Sequence, residues 1–488
     1  MITKLKRTLT LLLCLAVLGS HIVACGNQPD PSDESRDTTH TVSESETADE
    51  ARETLDALGE IHWGGGEFTM LYASAYSNEV GDMQDEKGSV LDEAVHNRNT
   101  LFEEYCHLTY VLVGKDYTEV NAAINAAAMT ADNDYQLFTN LTDQTASVAT
   151  SGGLYNFLEF ESIDFEKPWW DQGNLSFELA GNVFFMSGAH NTKDNDLTYA
   201  FIYNKAIAED HRLPDLYAAV DSGEWTIDYF LQVVQNISLD NGDGRWDEQD
   251  TYGLGTVNAF GDMLFYGANM RYVVTDPDTD SLRLALNDGN LEKTVNIVKL
   301  AQRIVHENNT TYMWNTTSPT HPKEVFKEGN LAFMGDAIGA LPEFNASMEE
   351  DYGVLPIPKY DTSQKEYYTY AHGSGSTLSI PVSIQNVEEF EKVLEAYVIL
   401  SHQLVSPAYY EIILGTRAVR DVKSAEILDI LLRNRVYDIP QYYSQFGLSL
   451  LLSESIRTNN DTFISGYERN AKRFDKLVEQ LLSKLERN

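Results

Sequence analysis

The chain has 488 residues, 43% of them hydrophobic, which is an ordinary composition for a globular protein of more than one domain. Its 75 acidic residues outnumber its 35 basic residues, so the formal net charge is -40. This charge excludes general electrostatic binding to nucleic acid or to an anionic membrane surface, and it favours solubility.

The N-terminal residues 1–24 are predicted to be an export signal. Three basic residues precede an apolar run at 9–18 that is too short to span a bilayer. Ile22-Val23-Ala24 then leads into Cys25, an arrangement that resembles the lipobox of bacterial lipoproteins. We therefore expect Cys25 to carry a diacylglycerol and palmitate anchor; an ordinary secretory signal that happens to contain a Cys is the alternative.

The chain has 3 cysteines, and the predicted processing leaves one of them as a free thiol. Cys14 leaves with the signal and Cys25 carries lipid, so Cys106 has no intramolecular partner and is expected to be a buried structural thiol. Residues 25–60 are rich in Ser, Thr, Asp and Glu, and they are predicted to be a disordered acidic tether.

Strands and helices alternate after the tether. Predicted strands at 68–72, 108–113 and 135–139 are separated by helical patterns, and the alternation starts again near residues 183 and 200. This order is typical of α/β domains with mostly parallel sheets covered by helices on both faces. Ligands in such sheets bind beyond the carboxyl ends of the strands.

Residues 239–250 form the most specific local motif, which resembles a calcium loop of the EF-hand kind. The predicted metal-binding residues are Asn241, Asp243, Arg245, Asp247 and Asp250. Leu stands at the first loop position, where an Asp is expected, and the last position is Asp rather than Glu, which lowers calcium affinity. A structural calcium ion and a plain polar loop held by Asx turns are both open interpretations.

Several segments together resemble family 1 extracellular solute-binding proteins, the maltose-binding-like group that serves ABC importers, of the Gram-positive lipoprotein type. No single segment is specific, but their order and spacing are. The resemblance runs from about Phe68 to the C-terminus. The segments that carry it are 167–172, 183–188, 201–205, 224–230, 326–334 and 352–359.

The resemblance implies an α/β chain with a two-lobed periplasmic-binding-protein-like fold of type II, a ligand cleft between the lobes, and hinge crossings. Lobe one is expected at 61–185 plus 372–432, and lobe two at 186–371 plus 433–488. The crossings are expected near Met186 and Ala371.

Candidate ligand-binding residues follow from this topology. Aromatic faces stack on sugar rings while amides, carboxylates and hydroxyls bond the sugar hydroxyls, although most of the aromatic residues here are expected in the core. The candidates are Tyr76, Asn78, Thr139, Asn140, Trp170, His190, Asn258, Phe260, Asp336, Tyr370, His372 and Ser374.

The sequence contains no His-Glu-x-x-His motif, P-loop, Gly-x-Ser-x-Gly motif or paired cysteines, so no catalytic pattern is indicated. With the resemblance, this favours a monomeric, non-enzymatic lipoprotein at the extracellular face of the cell membrane. It would capture a small ligand, by the resemblance an oligosaccharide, for the permease subunits of an ABC importer. An exported glycoside-active enzyme and a surface adhesion or sensing module are the alternatives.

Overall fold

The computed structural model describes residues 50–81, 88–179, 181–276, 279, 281–418 and 421–485. The predicted signal segment and the lipidation residue Cys25 lie outside these residues, as do positions 26–49 of the predicted tether.

The first described segment, 50–57, is a helix, α1, where the prediction placed the end of a disordered tether. Ala51 is fully buried, Leu55 packs against the core, and Glu50 forms an ion pair with Lys167 at 2.6 Å. The tether prediction is therefore wrong for this part. Ala51 and Leu55 are four residues apart, so they share one apolar face of the helix.

The described strands are β1 (Glu67–Ala73), β2 (Thr109–Lys115), β3 (Leu137–Leu141), β4 (Phe185–Met186), β5 (Tyr199–Asn204), β6 (Tyr252–Thr256), β7 (Val273–Thr275), β8 (Leu282–Leu284), β9 (Thr311–Met313), β10 (Leu331–Ala337), β11 (Tyr352–Leu355), β12 (Thr369–Tyr370), β13 (Ser376–Ser379) and β14 (Arg435–Val436).

The α-helices after α1 are α2 (Ser77–Val80), α3 (Val90–Cys106), α4 (Tyr117–Thr130), α5 (Thr142–Ala149), α6 (Thr192–Asp196), α7 (Lys205–Asp210), α8 (Leu216–Asp221), α9 (Ile227–Val234), α10 (Phe260–Gly267), α11 (Asn290–His306), α12 (Pro322–Lys327), α13 (Leu341–Ser347), α14 (Val387–Ala418), α15 (Val422–Arg433), α16 (Ile439–Tyr442), α17 (Leu451–Arg457) and α18 (Phe463–Leu485).

The first sheet has the order β2-β1-β3-β13-β4. β1 runs parallel to β2 and β3, while β13 runs antiparallel to β3 and β4. Phe68 to Ala73 of β1 are all buried, as expected of a strand covered by helices on both faces. The carboxyl ends of β1, β3 and β4 and the beginning of β13 therefore lie at one edge.

The second sheet has the order β11-β5-β10-β6-β9. β10 and β9 run parallel to β6, and β5 runs antiparallel to its neighbours β10 and β11. Ala337 at the end of β10 pairs with Tyr199 at the beginning of β5. The start of β5 thus joins the carboxyl ends of β6, β9 and β10.

Two further strand pairs stand apart from these sheets. β7 and β8 form an antiparallel hairpin, and β12 pairs in parallel with β14 through Tyr370 and Val436. The second pair brings a late part of the chain next to the segment that returns to the first sheet.

Helix α14 is 32 residues long and contains Pro407. On its N-terminal side, the Ser401 hydroxyl accepts a hydrogen bond from Arg98 of α3 at 2.9 Å. Beyond the proline, the carbonyl of Ile413 accepts a hydrogen bond from Asn345 of α13 at 3.3 Å. The helix therefore extends from the first sheet's helices to those of the second.

Helix α15 contacts the second sheet. Its Ser424 hydroxyl accepts the backbone N–H of Val354 in β11 at 2.8 Å, and Asp421 at its N-cap pairs with Lys205 at 2.6 Å. α15 thus belongs with the second sheet, whereas the prediction placed residues up to 432 in the first lobe. The reason is that α14 continues past Leu400 and carries the chain across; the other lobe boundaries stay predictions.

Cys106, at the end of α3, is a free and fully buried thiol, and burial raises its pKa to about 12. Among the described residues, no helix is both long enough and apolar enough to cross a membrane.

Candidate functional site

We call the strand-end residues 74–76, 142–143 and 373–375 of the first sheet the first edge. The hydroxyl of Tyr76 donates to the carbonyl of Ser374 at 2.8 Å, and the backbone N–H of Asp143 donates to the carbonyl of Gly373 at 3.1 Å. These bonds hold the loops after β1 and β3 against the segment that leads into β13.

The second edge comprises residues 198–199, 257–258, 314 and 336–338 of the second sheet. The N–H of Ile338, just after β10, donates to the carbonyl of Thr198 at 2.9 Å. Asn258 follows β6 and is exposed, and Trp314 follows β9 and is partly exposed.

The two edges meet at the return segment, residues 371–375. The N–H of His372 donates to the carbonyl of Leu197 at 3.1 Å, beside the second edge. The rings of His372 and Tyr199 lie 6.5 Å apart. The return segment therefore contacts both edges.

A pair of stacked tyrosine rings and a carboxyl group with a raised pKa lie beside the second edge. Tyr199 stacks on Tyr370 with ring centroids 4.8 Å apart. Burial, with the charge of Asp438, raises the pKa of Asp262 to about 8, and Asp262 Oδ1 has no hydrogen-bond partner among the described residues. A carboxyl group that stays protonated near neutral pH can donate a hydrogen bond.

Trp314, His321 and Asp336 form a cluster where β9 and β10 end. The ring of Trp314 lies 4.6 Å from the ring of His321, whose Nε2 is 3.7 Å from Asp336 Oδ2. Burial raises the pKa of Asp336, and His321 partly opposes this shift. The cluster offers an aromatic face next to a carboxyl group, the combination by which proteins bind sugars.

Glu79 in α2 binds groups of two other segments beside the first edge. Its buried carboxylate accepts hydrogen bonds from the N–H of Lys193 at 2.9 Å and from the hydroxyl of Ser376 at 2.8 Å. Burial raises its pKa to about 7. Glu79 thereby joins β13 to the segment that crosses between the sheets.

Arg435 of β14 pairs with two buried carboxylates at the crossing. Its guanidinium bonds Asp171, and Nη1 lies 2.9 Å from Asp194 Oδ2. The Tyr437 hydroxyl lies 3.0 Å from one oxygen of each carboxylate. Gly375 packs so closely on Asp194 that a Cβ at this position would lie 2.6 Å from Asp194 Oδ1. This network fixes the return segment against α6.

Seven of the predicted ligand-binding residues lie at or beside these edges. Asn78, Asn258 and His372 are exposed, Ser374 is partly exposed, and the other three are buried. These residues are Tyr76, Asn78, Asn258, Asp336, Tyr370, His372 and Ser374.

The structure places the other five predicted residues inside the protein. Trp170 donates its indole N–H to Glu395, Asn140 bonds Tyr117 and Asn121, and Phe260 packs on Phe201. Thr139 and His190 are also buried; burial lowers the pKa of His190 to about 3, so its ring is neutral.

Sequence reasoning missed Asp143, Tyr199, Asp262, His321 and Gln441. β3 ends at Leu141, two residues later than the predicted strand, so the loop residue is Asp143 rather than Asn140. Gln441 lies next to Gly373: a Cβ at position 373 would be 3.5 Å from the Gln441 carbonyl oxygen. This contact joins distant parts of the chain, so no local sequence pattern indicates it.

The predicted calcium loop is a ladder of Asx turns. Asn241 Oδ1 accepts the N–H of Asp243 at 3.0 Å, and Asp243 Oδ1 accepts that of Arg245 at 2.8 Å. Both carboxylate oxygens of Asp250 accept backbone N–H groups, from Asn241 and Asp247, each at 2.8 Å. No group of three or more His, Cys, Asp or Glu side chains suited to a metal occurs among the described residues. Calcium binding stays a prediction.

No protein-family model and no curated protein matches the chain. The sugar-binding protein MalE from Xanthomonas citri superposes with a TM-score of 0.58 at 13% identity, over 86% of this chain and 100% of that one. A family 1 extracellular solute-binding protein from Bifidobacterium longum subsp. infantis gives 0.55 at 16% identity, over 84% and 100%.

An ABC substrate-binding protein from Listeria monocytogenes, in complex with cycloalternan, gives a TM-score of 0.55 at 12% identity, over 85% of this chain and 99% of that one. At such identities the likeness concerns the fold. The predicted fold class is confirmed: the chain has the two-lobed α/β fold of these MalE-like proteins.

Proposed function

We propose that the protein is an extracellular solute-binding protein that captures a carbohydrate in a cleft between its two lobes, lined by the two edges, and delivers it to the permease of an ABC importer. The observation that carries the proposal is the meeting of the two edges at the return segment. Trp314 meets His321 edge to face beside Asp336 on the second edge, and Tyr76 and His372 lie at the first. Aromatic faces and polar groups from both lobes can then enclose one sugar when the lobes close.

The solved structures of the same fold support the ligand class. The Listeria protein holds cycloalternan, and the Xanthomonas protein is described as sugar-binding. We propose that this chain likewise binds an oligosaccharide, acts as a monomer and catalyses no reaction.

Membrane attachment rests on the sequence alone. A lipid on Cys25 would keep the protein at the extracellular face of the membrane, next to the permease. Expression of the full chain and of Cys25→Ser with labelled palmitate tests this: label and membrane association should both be lost in the variant. A variant that remains in the membrane fraction would contradict the anchor.

A glycan panel separates this function from its alternatives. Residues 26–488 are mixed with each glycan, and the melting temperature and the reaction products are measured together. A solute-binding protein gives a thermal shift without product, because binding to the folded state alone stabilises it. Product formation would indicate a glycoside-active enzyme, and neither signal would favour an adhesion or sensing module.

A further inference from the structure

A cavity lies among residues of the second lobe. Its volume is about 440 Å³, within the range of small-molecule sites, about 300–1,000 Å³. It is lined by residues 268–271, which follow α10, by Val274 of β7, by Ala285, by the first turn of α11 and by the loop that begins at Tyr360. The residues of this cavity take no part in the proposed carbohydrate site.

Two cationic side chains line the cavity. Arg271 uses Nη1 to bond Asn269 Oδ1 at 3.3 Å and the carbonyl of Met270 at 3.0 Å, and no carboxylate of the described residues lies within 4 Å of its guanidinium. Burial lowers its pKa and the charge of Asp438 partly opposes this shift; an arginine stays charged at neutral pH. Its Nε and Nη2 have no hydrogen-bond partner among the described residues.

Lys293 is the second cation. Its Nζ donates to the carbonyl of Ala268 at 2.9 Å and lies 4.8 Å from the ring centre of Tyr360. Burial lowers its pKa, and the charge of Asp361 on the rim partly opposes this. Asp361 itself bonds Ser363, at 2.9 Å to the N–H.

Gln364 fixes another part of the lining. Its amide N–H groups donate to the carbonyls of Gly267 at 2.8 Å and Glu366 at 2.9 Å, and its Oε1 accepts the N–H of Tyr360 at 3.2 Å. α11 begins beside the cavity at Asn290, and no side chain caps its N-terminus. The positive end of the helix dipole adds to the two cations.

Arg271 and Lys293 are half-buried, and the charges of Asp438 and Asp361 act on them, but neither forms an ion pair within 4 Å among the described residues. A bound anion would supply each of them with a direct charge-assisted partner. We propose that the cavity binds a small organic anion that carries a phosphate or carboxylate group, held by Arg271 and Lys293. The amide side chains of Asn269 and Asn290 line the same space and can bond hydroxyl groups of the ligand.

Calorimetry of residues 26–488 with glucose 6-phosphate, gluconate and neutral glucose tests this proposal. We expect one anion to bind and glucose to give no heat at this site; the preferred anion distinguishes phosphate from carboxylate. Arg271→Gln and Lys293→Gln should each weaken binding by about tenfold or more, since each removes a charge-assisted contact.

Arg303→Gln on the same helix is the matched control, because it removes one exposed positive charge that pairs with Glu307 at 3.5 Å. It should leave anion binding unchanged. Saturating the cleft with the best glycan of the panel should also leave it unchanged, so the two proposals can fail separately. No heat with either anion, or equal affinity in folded Arg271→Gln and Lys293→Gln, would overturn this one.

Discussion

Substitution of Trp314 is the most direct test of the proposed carbohydrate site. It is partly exposed, and its ring lies beside His321. Trp314→Ala should weaken binding of the best glycan by about tenfold or more, because buried tryptophans dominate recognition energies. Titration calorimetry measures the change.

Trp246→Ala is the matched control for this experiment. Trp246 packs on Tyr252 at the beginning of β6, the end opposite the cleft, with ring centroids 5.4 Å apart. Its replacement should lower stability without altering affinity. Equal loss of affinity in the two variants would remove Trp314 from the site.

Glu395 makes stability depend on pH. It lies in α14, accepts the indole N–H of Trp169 at 2.7 Å, and is 4% exposed. Burial raises its pKa from 4.5 to about 7. The folded state therefore holds this proton more tightly than the unfolded state, and the stability it contributes below pH 4.5 is lost as pH rises towards 7.

Glu395→Gln should remove this dependence. The free energy of unfolding of the unmodified chain, relative to the variant, should fall by about 2–3 kcal/mol between pH 5 and pH 8 in urea titrations. The control Glu388→Gln changes an exposed carboxylate of the same helix and should show no such trend. Parallel curves for the chain and Glu395→Gln would contradict the shifted pKa.

At the scale of the elements, the loop at 239–250 is the predicted calcium site. Leu239 offers no side-chain ligand, and Asp250 already bonds two N–H groups. We therefore expect calcium affinity only in about the millimolar range, as in weak extracellular sites. Asp243→Ala should abolish the heat of binding and Glu248→Ala should not; a flat titration at millimolar calcium would assign the loop to Asx turns alone.

The crossing network should be a large source of stability. Arg435→Met leaves Asp171 and Asp194 buried without their cation, which should lower the free energy of unfolding by about 3–5 kcal/mol. Combining it with Asp171→Asn and Asp194→Asn should recover part of this loss. Chemical denaturation measures the free energy of unfolding of the single and the combined variant. If Arg435→Met lowers it by less than about 1 kcal/mol, solvent reaches the network.

The order of strands and helices could be predicted from the sequence, because buried strands and amphipathic helices have local patterns. Element ends could not. β3 extends to Leu141 and α14 continues through Pro407, since neighbouring strands and helices decide where hydrogen bonding stops. Because the predicted end of β3 was two residues too early, Asn140 was chosen as a candidate ligand-binding residue and Asp143 was missed.

Trp170 was predicted to bind ligand but is buried, for another reason: its hydrogen-bond partner Glu395 is 225 residues away in the sequence.

At the scale of the whole molecule, ligand binding should bring the two lobes together. Small-angle scattering of residues 26–488 should give a smaller radius of gyration with the best glycan than without it. Trp246→Ala should retain this change, and Trp314→Ala should lose it at the same glycan concentration. Identical curves with and without a glycan that demonstrably binds would contradict hinge closure.

If Cys25 carries a lipid, the docking of α1 limits how far the binding lobes can lie from the membrane. Because Glu50 and Ala51 are attached to the body, only the 24 residues between Cys25 and Glu50 connect a lipid at Cys25 to the binding lobes. Fully stretched, such a connection spans at most about 80–85 Å. A lipid-anchored copy would therefore stay within this distance of its membrane. A solute that it captures would remain close to a permease in the same membrane instead of diffusing away.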